Sequence, residues 1–98
     1  MEINIQKNGT ECTVSLSGSL DSVTAPQYEK EMKQSIDGIN SLILDFANVD
    51  YVSSAGLRAI LETEKIMQTQ GKLLLKNVSE DVMDVFAMTG LDEIFTFE

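Results

Sequence analysis

Leu42, Ile43 and Leu44 stand in an unbroken apolar run, and Leu73, Leu74 and Leu75 form a second. A half-wet strand alternates apolar with polar residues. An unbroken run instead reads as a central strand covered on both faces. Between the runs, Leu57, Ile60, Leu61 and Met67 recur at helical spacing, with Glu64 breaking the stripe and Gly71 placed as the stop. A strand, a helix and a strand in succession close by a right-handed crossover and pair in parallel. That unit sets the fold class as α/β.

What flanks the unit adds antiparallel pairing. Ile3 and Ile5 alternate with Glu2, Asn4 and Gln6; Cys12, Val14 and Leu16 alternate with Thr13 and Ser15. Between them lies "KNGT", where Asn8-Gly9 suits a type I′ hairpin turn with positive φ at both central residues. Thr24 and Gln27 have capping-box spacing, and Pro26 fits the first turn of a helix. Tyr28, Met32, Ile36 and Ile39 mark that helix, with Gly38 at its end. Ser79 caps a third helix, with Glu80 and Asp81 in its first turn, Val82, Val85 and Phe86 inward, and Gly90 closing it. "EIFTF" reads as a last short strand. The order is β-β-α-β-α-β-α-β: one domain over residues 1–98, a mixed sheet with helices mainly on one face, without linkers or repeats.

Composition removes several chemistries. Without histidine there is no His-based triad and no imidazole base or metal ligand. The single cysteine, Cys12, sits in an alternating pattern and reads as a small core residue. No apolar run approaches the ~18 residues needed to span a bilayer, and "MEINIQKNG" lacks the marks of a secretory signal. The expected compartment is the cytoplasm. A net charge of -9 makes nucleic acid and bare membrane poor partners and leaves solubility or a basic protein patch as its use. The sequence calls for no cofactor and no metal, names no catalytic residue, and demands no oligomer, so a monomer is expected when the protein is free.

The segment "DYVSSAGLRAIL" joins the strand before it to the second helix, which starts near Ala55 or Gly56. One serine suffices to cap a helix. A second hydroxyl at a helix N-terminus lies where a phosphate is stabilised by the dipole and free N–H groups, and Gly56 would let another molecule approach the backbone. Phosphorylation there would add about -1.5 to -2 charges and could block docking without unfolding the domain.

These residues carry a resemblance. "LILDFANVDYVSSAGLRAIL", the upstream "GSLDSVTA" and the downstream "VFAMTGLDEIFTF" resemble the bacterial anti-sigma factor antagonists, the STAS-domain proteins, over nearly the whole chain. The resemblance implies a four- to five-stranded mixed sheet flanked by helices, and partner switching. In that scheme the unphosphorylated protein binds an anti-sigma factor that is also a serine kinase, and a sigma factor is released. The kinase uses ATP to phosphorylate the antagonist, the complex separates, and a PP2C-type phosphatase restores binding. The family's loop reads Asp-Ser-Ser/Thr-Gly-Leu. Here Ser53 stands at the aspartate, Ser54 at the phosphoacceptor and Ala55 at the second hydroxyl, followed by Gly56 and Leu57. Ser54 is therefore the implied phosphorylation site, with Ser53 its rival. Asp21 matches a family aspartate beside the acceptor. Asp21, Ser53, Ser54, Ala55, Gly56, Leu57 and Arg58 form the implied partner-binding set.

Blander uses are open for the same residues: Asp21 as a turn residue, Asp50 as a solvated loop acid, Arg58 as a helix-surface charge. A second role within the family, as the STAS subunit of a lipid-transport or scaffold complex that binds a partner helix without phosphorylation, gains from the missing aspartate. An enzyme would have to work with Asp21, Asp45 or Asp50 and a serine. A receiver-like domain needs an acidic pair where this chain has "KNGT".

Overall fold

In the computed structural model, which describes residues 1–98, the alternating residues at the start of the chain form β1 (Glu2–Asn8) and β2 (Glu11–Leu20). They pair antiparallel from Glu2 opposite Ser17 to Asn8 opposite Glu11. Asn8 belongs to the ladder, so the turn centres on Gly9 and Thr10 instead of Asn8 and Gly9. Gly9 has φ +65° and Thr10 is not left-handed. A positive φ at the first central residue alone is the demand of a type II′ turn, so the expected type I′ turn is displaced by one residue.

The helix α1 (Ala25–Ser35), the strand β3 (Ser41–Val52), the helix α2 (Ser54–Gln70), the strand β4 (Lys72–Lys76), the helix α3 (Glu80–Met88) and the strand β5 (Thr96–Phe97) follow in chain order. The sheet runs β1-β2-β3-β4-β5, antiparallel at its first pair and parallel at the other three. A 3-10 turn at Leu91–Glu93, which no sequence pattern announced, shortens the last strand to two residues.

One face of the sheet carries the core. Val14, Leu16, Leu44, Phe46, Leu73 and Leu75 are buried, and Tyr28, Met32, Ile60, Met67 and Phe86 of the helices join them in a single cluster. Phe86 stands edge-to-face with Phe46, Phe95 and Phe97, an arrangement the ring quadrupoles favour. The opposite face is open. Gln6, Thr13, Ile43, Leu74 and Thr96 lie in register across it, and Ile43 and Leu74 are only partly covered. The apolar runs therefore do not mark strands covered on both faces: their middle residues point to the uncovered side.

Two helix ends differ from expectation. The capping box of Thr24 and Gln27 does not form: Thr24 makes no side-chain cap, and Gln27 reaches Met1 and Glu31 instead. The helix also stops at Ser35, before Gly38, whose φ of +77° serves the turn after it. Ile39 is buried beyond the helix. At the other end of the second crossover, Gly71 is extended; it is needed because a β-carbon there would overlap the Asn40 carbonyl.

Candidate functional site

The parallel pairing of β2 with β3 brings two chain turns together at one end of the sheet. Leu20, the last residue of β2, lies opposite Val52, and its carbonyl accepts the Ser53 N–H at 2.9 Å. The Asp21–Thr24 turn is thus fixed beside the start of α2. The register slips twice on the way, between Ser15 and Ser17 and between Gly18 and Ser19. Such irregularities re-aim strand ends.

The two serines divide the work. Ser53 is the N-cap: its backbone is extended (φ -87°, ψ 176°) and its Oγ accepts the Gly56 N–H at 3.2 Å. Its carbonyl accepts the first helical bond, from Leu57 N–H, at 2.9 Å. Ser54 is the first helical residue, one position earlier than expected, and is exposed. Its hydroxyl takes no part in the cap, so it stands in solvent at the positive end of a 17-residue helix.

Gly56 and Leu57 are buried. A β-carbon at Gly56 would strike the Leu20 carbonyl oxygen and would come within 3.0 Å of the Leu20 and Val52 side chains. Gly56 is approached by its own chain, so the access expected for a second molecule is already filled. Leu57 points into the core. Ala55 is half-buried and Arg58 is exposed.

Asp21 is engaged within its turn through one carboxylate oxygen. Its Oδ1 accepts the N–H groups of Val23 at 2.9 Å and Thr24 at 3.1 Å, and its own N–H donates to the Thr24 hydroxyl. The Thr24 hydroxyl in turn donates to the Ser19 carbonyl at 2.8 Å. Those two N–H groups, Thr24's first, hold the Asp21 carboxyl below the usual carboxylate range. Asp45 lies on the open sheet face, where the Ala47 N–H and the Asn77 amide lower its pKa in the same way. Asp50 is exposed. No three Asp, Glu or Cys side chains converge as metal ligands do, and no helix is long and apolar enough to cross a membrane. Cys12 is buried, and burial pushes its thiol pKa up.

Two exposed residues that the sequence did not single out lie near the same end of the sheet. Val23 is 84% exposed and Tyr51 is 54% exposed, two of the four large hydrophobic side chains left in solvent. Each lies within three residues of the Leu20–Ser53 hydrogen bond. Val23 sits in a turn-like polar stretch that gives it no periodicity to read. Tyr51 follows the β3 irregularities, where simple alternation no longer tells which side a residue faces.

A five-stranded mixed sheet with helices on one face and a capped helix following its central strand is an α/β domain of the STAS type. The chain belongs to the STAS domain family, which it matches over residues 2–98. It is 35% identical over 97 residues to BtrV of Bordetella bronchiseptica, described as a candidate anti-sigma factor antagonist, a match spanning 97% of this chain and 84% of that one. A crystal structure of a candidate anti-sigma factor antagonist from Thermotoga maritima superposes with a TM-score of 0.89 at 20% identity, covering 97% of this chain and 84% of the other. The Bacillus cell fate determinant SpoIIAA in its phosphorylated form superposes with a TM-score of 0.76 at 19% identity, over 99% and 91% of the two chains.

Proposed function

We propose that this chain is an anti-sigma factor antagonist of the cytoplasm, monomeric when free. Its unphosphorylated form binds a cognate anti-sigma factor that is also a serine kinase, and a sigma factor is released. Phosphorylation of Ser54 ends the binding, and a PP2C-type phosphatase restores it. The observation that carries this reading is the division between the serines: Ser53 is spent on the cap, while Ser54 stands exposed at the first position of α2. A phosphoryl group on Ser54 would sit at the positive pole of the helix, where the fold tolerates it. Its added charge, about -1.5 to -2, would face the partner. The names of the relatives support the same reading. The protein supplies binding; the transfer chemistry belongs to the kinase.

The test is incubation with the purified cognate anti-sigma kinase and ATP. One phosphate is expected, mapped by peptide mass to Ser54. Ser54→Asp should abolish binding and leave the melting temperature nearly unchanged. A phosphate on Ser53, or a large stability loss in Ser54→Asp, would overturn the assignment. Ser53 in the place of the family's aspartate favours a second reading, a STAS subunit in a transport or scaffold complex. Co-purification with a transporter subunit, without modification by any kinase, would decide for it.

A further inference from the structure

The four large hydrophobic side chains in solvent are Val23, Tyr51, Met88 and Ile94. The first two belong to the end of the sheet that carries Ser54. In a domain with a net charge of -9, a valine and a tyrosine are thus left largely in water at the end of the sheet where an uncharged hydroxyl is exposed. Apolar side chains held rigidly in a polar rim are what protein interfaces use as anchors, tyrosine above all. Val23 is held: its N–H is bound to Asp21, whose carboxylate also fixes Thr24, and Thr24 is tied back to Ser19. Tyr51 is held by the pairing of β3 with Ser19 of β2. The backbone at both positions is therefore ordered before a partner arrives, which leaves only the side chains to be fixed on binding.

We infer that Val23 and Tyr51 are the apolar anchors of the docking surface around Ser54, and that the occupant is an anti-sigma factor face with an apolar recess bordered by lysine or arginine. The inference rests on the function proposed above and names the chemistry of that partner. The border follows from charge: Asp21 and Asp50 lie next to the anchors in sequence and are themselves exposed or partly exposed. The recess follows from the switch. A phosphoryl group on Ser54, close along the chain to Tyr51, would be taken out of water opposite apolar atoms when a partner closes on the anchors, and desolvating such a charge costs far more than the anchors contribute. Asp21 enters as a positioning residue, because its carboxylate is engaged by the turn that presents Val23.

The experiment titrates each purified anti-sigma kinase of the bacterium that carries this gene against the full chain and its variants, by calorimetry. Val23→Ser and Tyr51→Ala should each weaken binding about tenfold, with unchanged melting temperature. Tyr51→Phe should bind like the parent. Asp21→Ala should weaken binding; Asp21→Asn, which keeps an acceptor oxygen for the turn but removes the charge, should recover the part that the turn supplies and not the part owed to the basic border. If the parent binds a kinase and Val23→Ser and Tyr51→Ala bind it equally well, this inference fails and the proposed function stands. If the parent binds none of them, both fail. Self-association of the parent, lost in the same two variants by sedimentation, would assign the surface to a second copy of the chain and overturn the inference.

Discussion

The carbonyl oxygen of Leu20 occupies the space that a β-carbon on Gly56 would need. The last residue of β2 thereby meets the first turn of α2 backbone to backbone, and the Ser53 N–H closes the contact by donating to the same carbonyl. The position of Ser54 follows from that contact, because a helix seated this closely cannot shift along its axis. The hydroxyl is placed by packing two residues away from it.

Gly56→Ala tests the contact. In an open helix the change would stabilise by about 1 kcal/mol. Here the nearest obstacle is backbone, which yields at a cost of about 1–3 kcal/mol for overpacking. A net loss of stability is expected, read as a lower urea midpoint with an unchanged slope. A midpoint equal to or above the parent's would show that the helix has room to move.

The serines should separate in stability. Ser53→Ala removes the acceptor for the Gly56 N–H and should cost about 1 kcal/mol. Ser54→Ala touches no cap and should stay within about 0.5 kcal/mol of the parent, as exposed sites do. Chemical denaturation of the two variants measures this directly. Equal losses would mean that both hydroxyls serve the cap.

Deeper in the domain, the Tyr28 hydroxyl lies 2.8 Å from the Thr63 hydroxyl, joining α1 to α2 in the core. Thr63 can donate to the Ala59 carbonyl as well. Tyr28→Phe leaves Thr63 that bond and should cost about 1 kcal/mol. Thr63→Val strands a buried phenol and should cost more, up to about 3 kcal/mol. The double variant should be more stable than the sum of the singles implies, by a double-mutant cycle.

The same phenol sets an alkaline limit. Burial pushes the Tyr28 pKa well above the ordinary tyrosine value, against a smaller lowering by the Thr63 hydrogen bond. The folded state thus keeps a proton that the unfolded chain gives up above about pH 10. The linked stability is whole below that pH and falls as pH rises through it. Unfolding curves between neutral pH and about pH 11 should show a steeper alkaline decline in the parent than in Tyr28→Phe. Parallel declines would place the loss elsewhere.

The fold was largely legible because its signals are local and agree with one another. Alternation at Ile3, Ile5, Cys12 and Val14, the helical stripe of α2, and the Ser79 and Gly90 termini each describe the element they sit in. The unbroken runs at Leu42 and Leu73 misled about the second sheet face. Apolarity on both sides of a strand looks the same whether a helix covers the second side or only a shallow polar surface does. The site was legible as a position, since two serines before a helix need a reason. It was not legible as a geometry. That Gly56 is filled by Leu20 depends on a contact between β2 and α2 that no spacing encodes, whereas the bonds of Asp21 to Val23 and Thr24 are a local turn, one of the two uses the sequence left open for it. Val23 and Tyr51 escaped because exposure of an apolar residue in a turn or beyond a strand irregularity leaves no periodic trace.

Gln70 gives the last test, at the far end of α2. Its side-chain Nε2 donates to the Ile36 carbonyl at 2.9 Å and the Ile39 carbonyl at 2.7 Å. Both carbonyls belong to the turn that follows α1, where the helix has ended and its last acceptors need donors. One amide thus closes α1 onto α2 where Gly38 would otherwise leave a loose turn. Gln70→Ala withdraws both bonds from a half-buried site and should cost about 1–2 kcal/mol. Gln70→Glu should cost more above its carboxyl pKa, because the carboxylate then faces two carbonyl oxygens. Below about pH 4 the protonated acid can donate one bond, and part of the loss should return. Thermal unfolding of Gln70→Glu at neutral and acid pH, each against the parent, reads the difference. A Gln70→Glu variant as stable as the parent at neutral pH would show that the amide does not hold this turn.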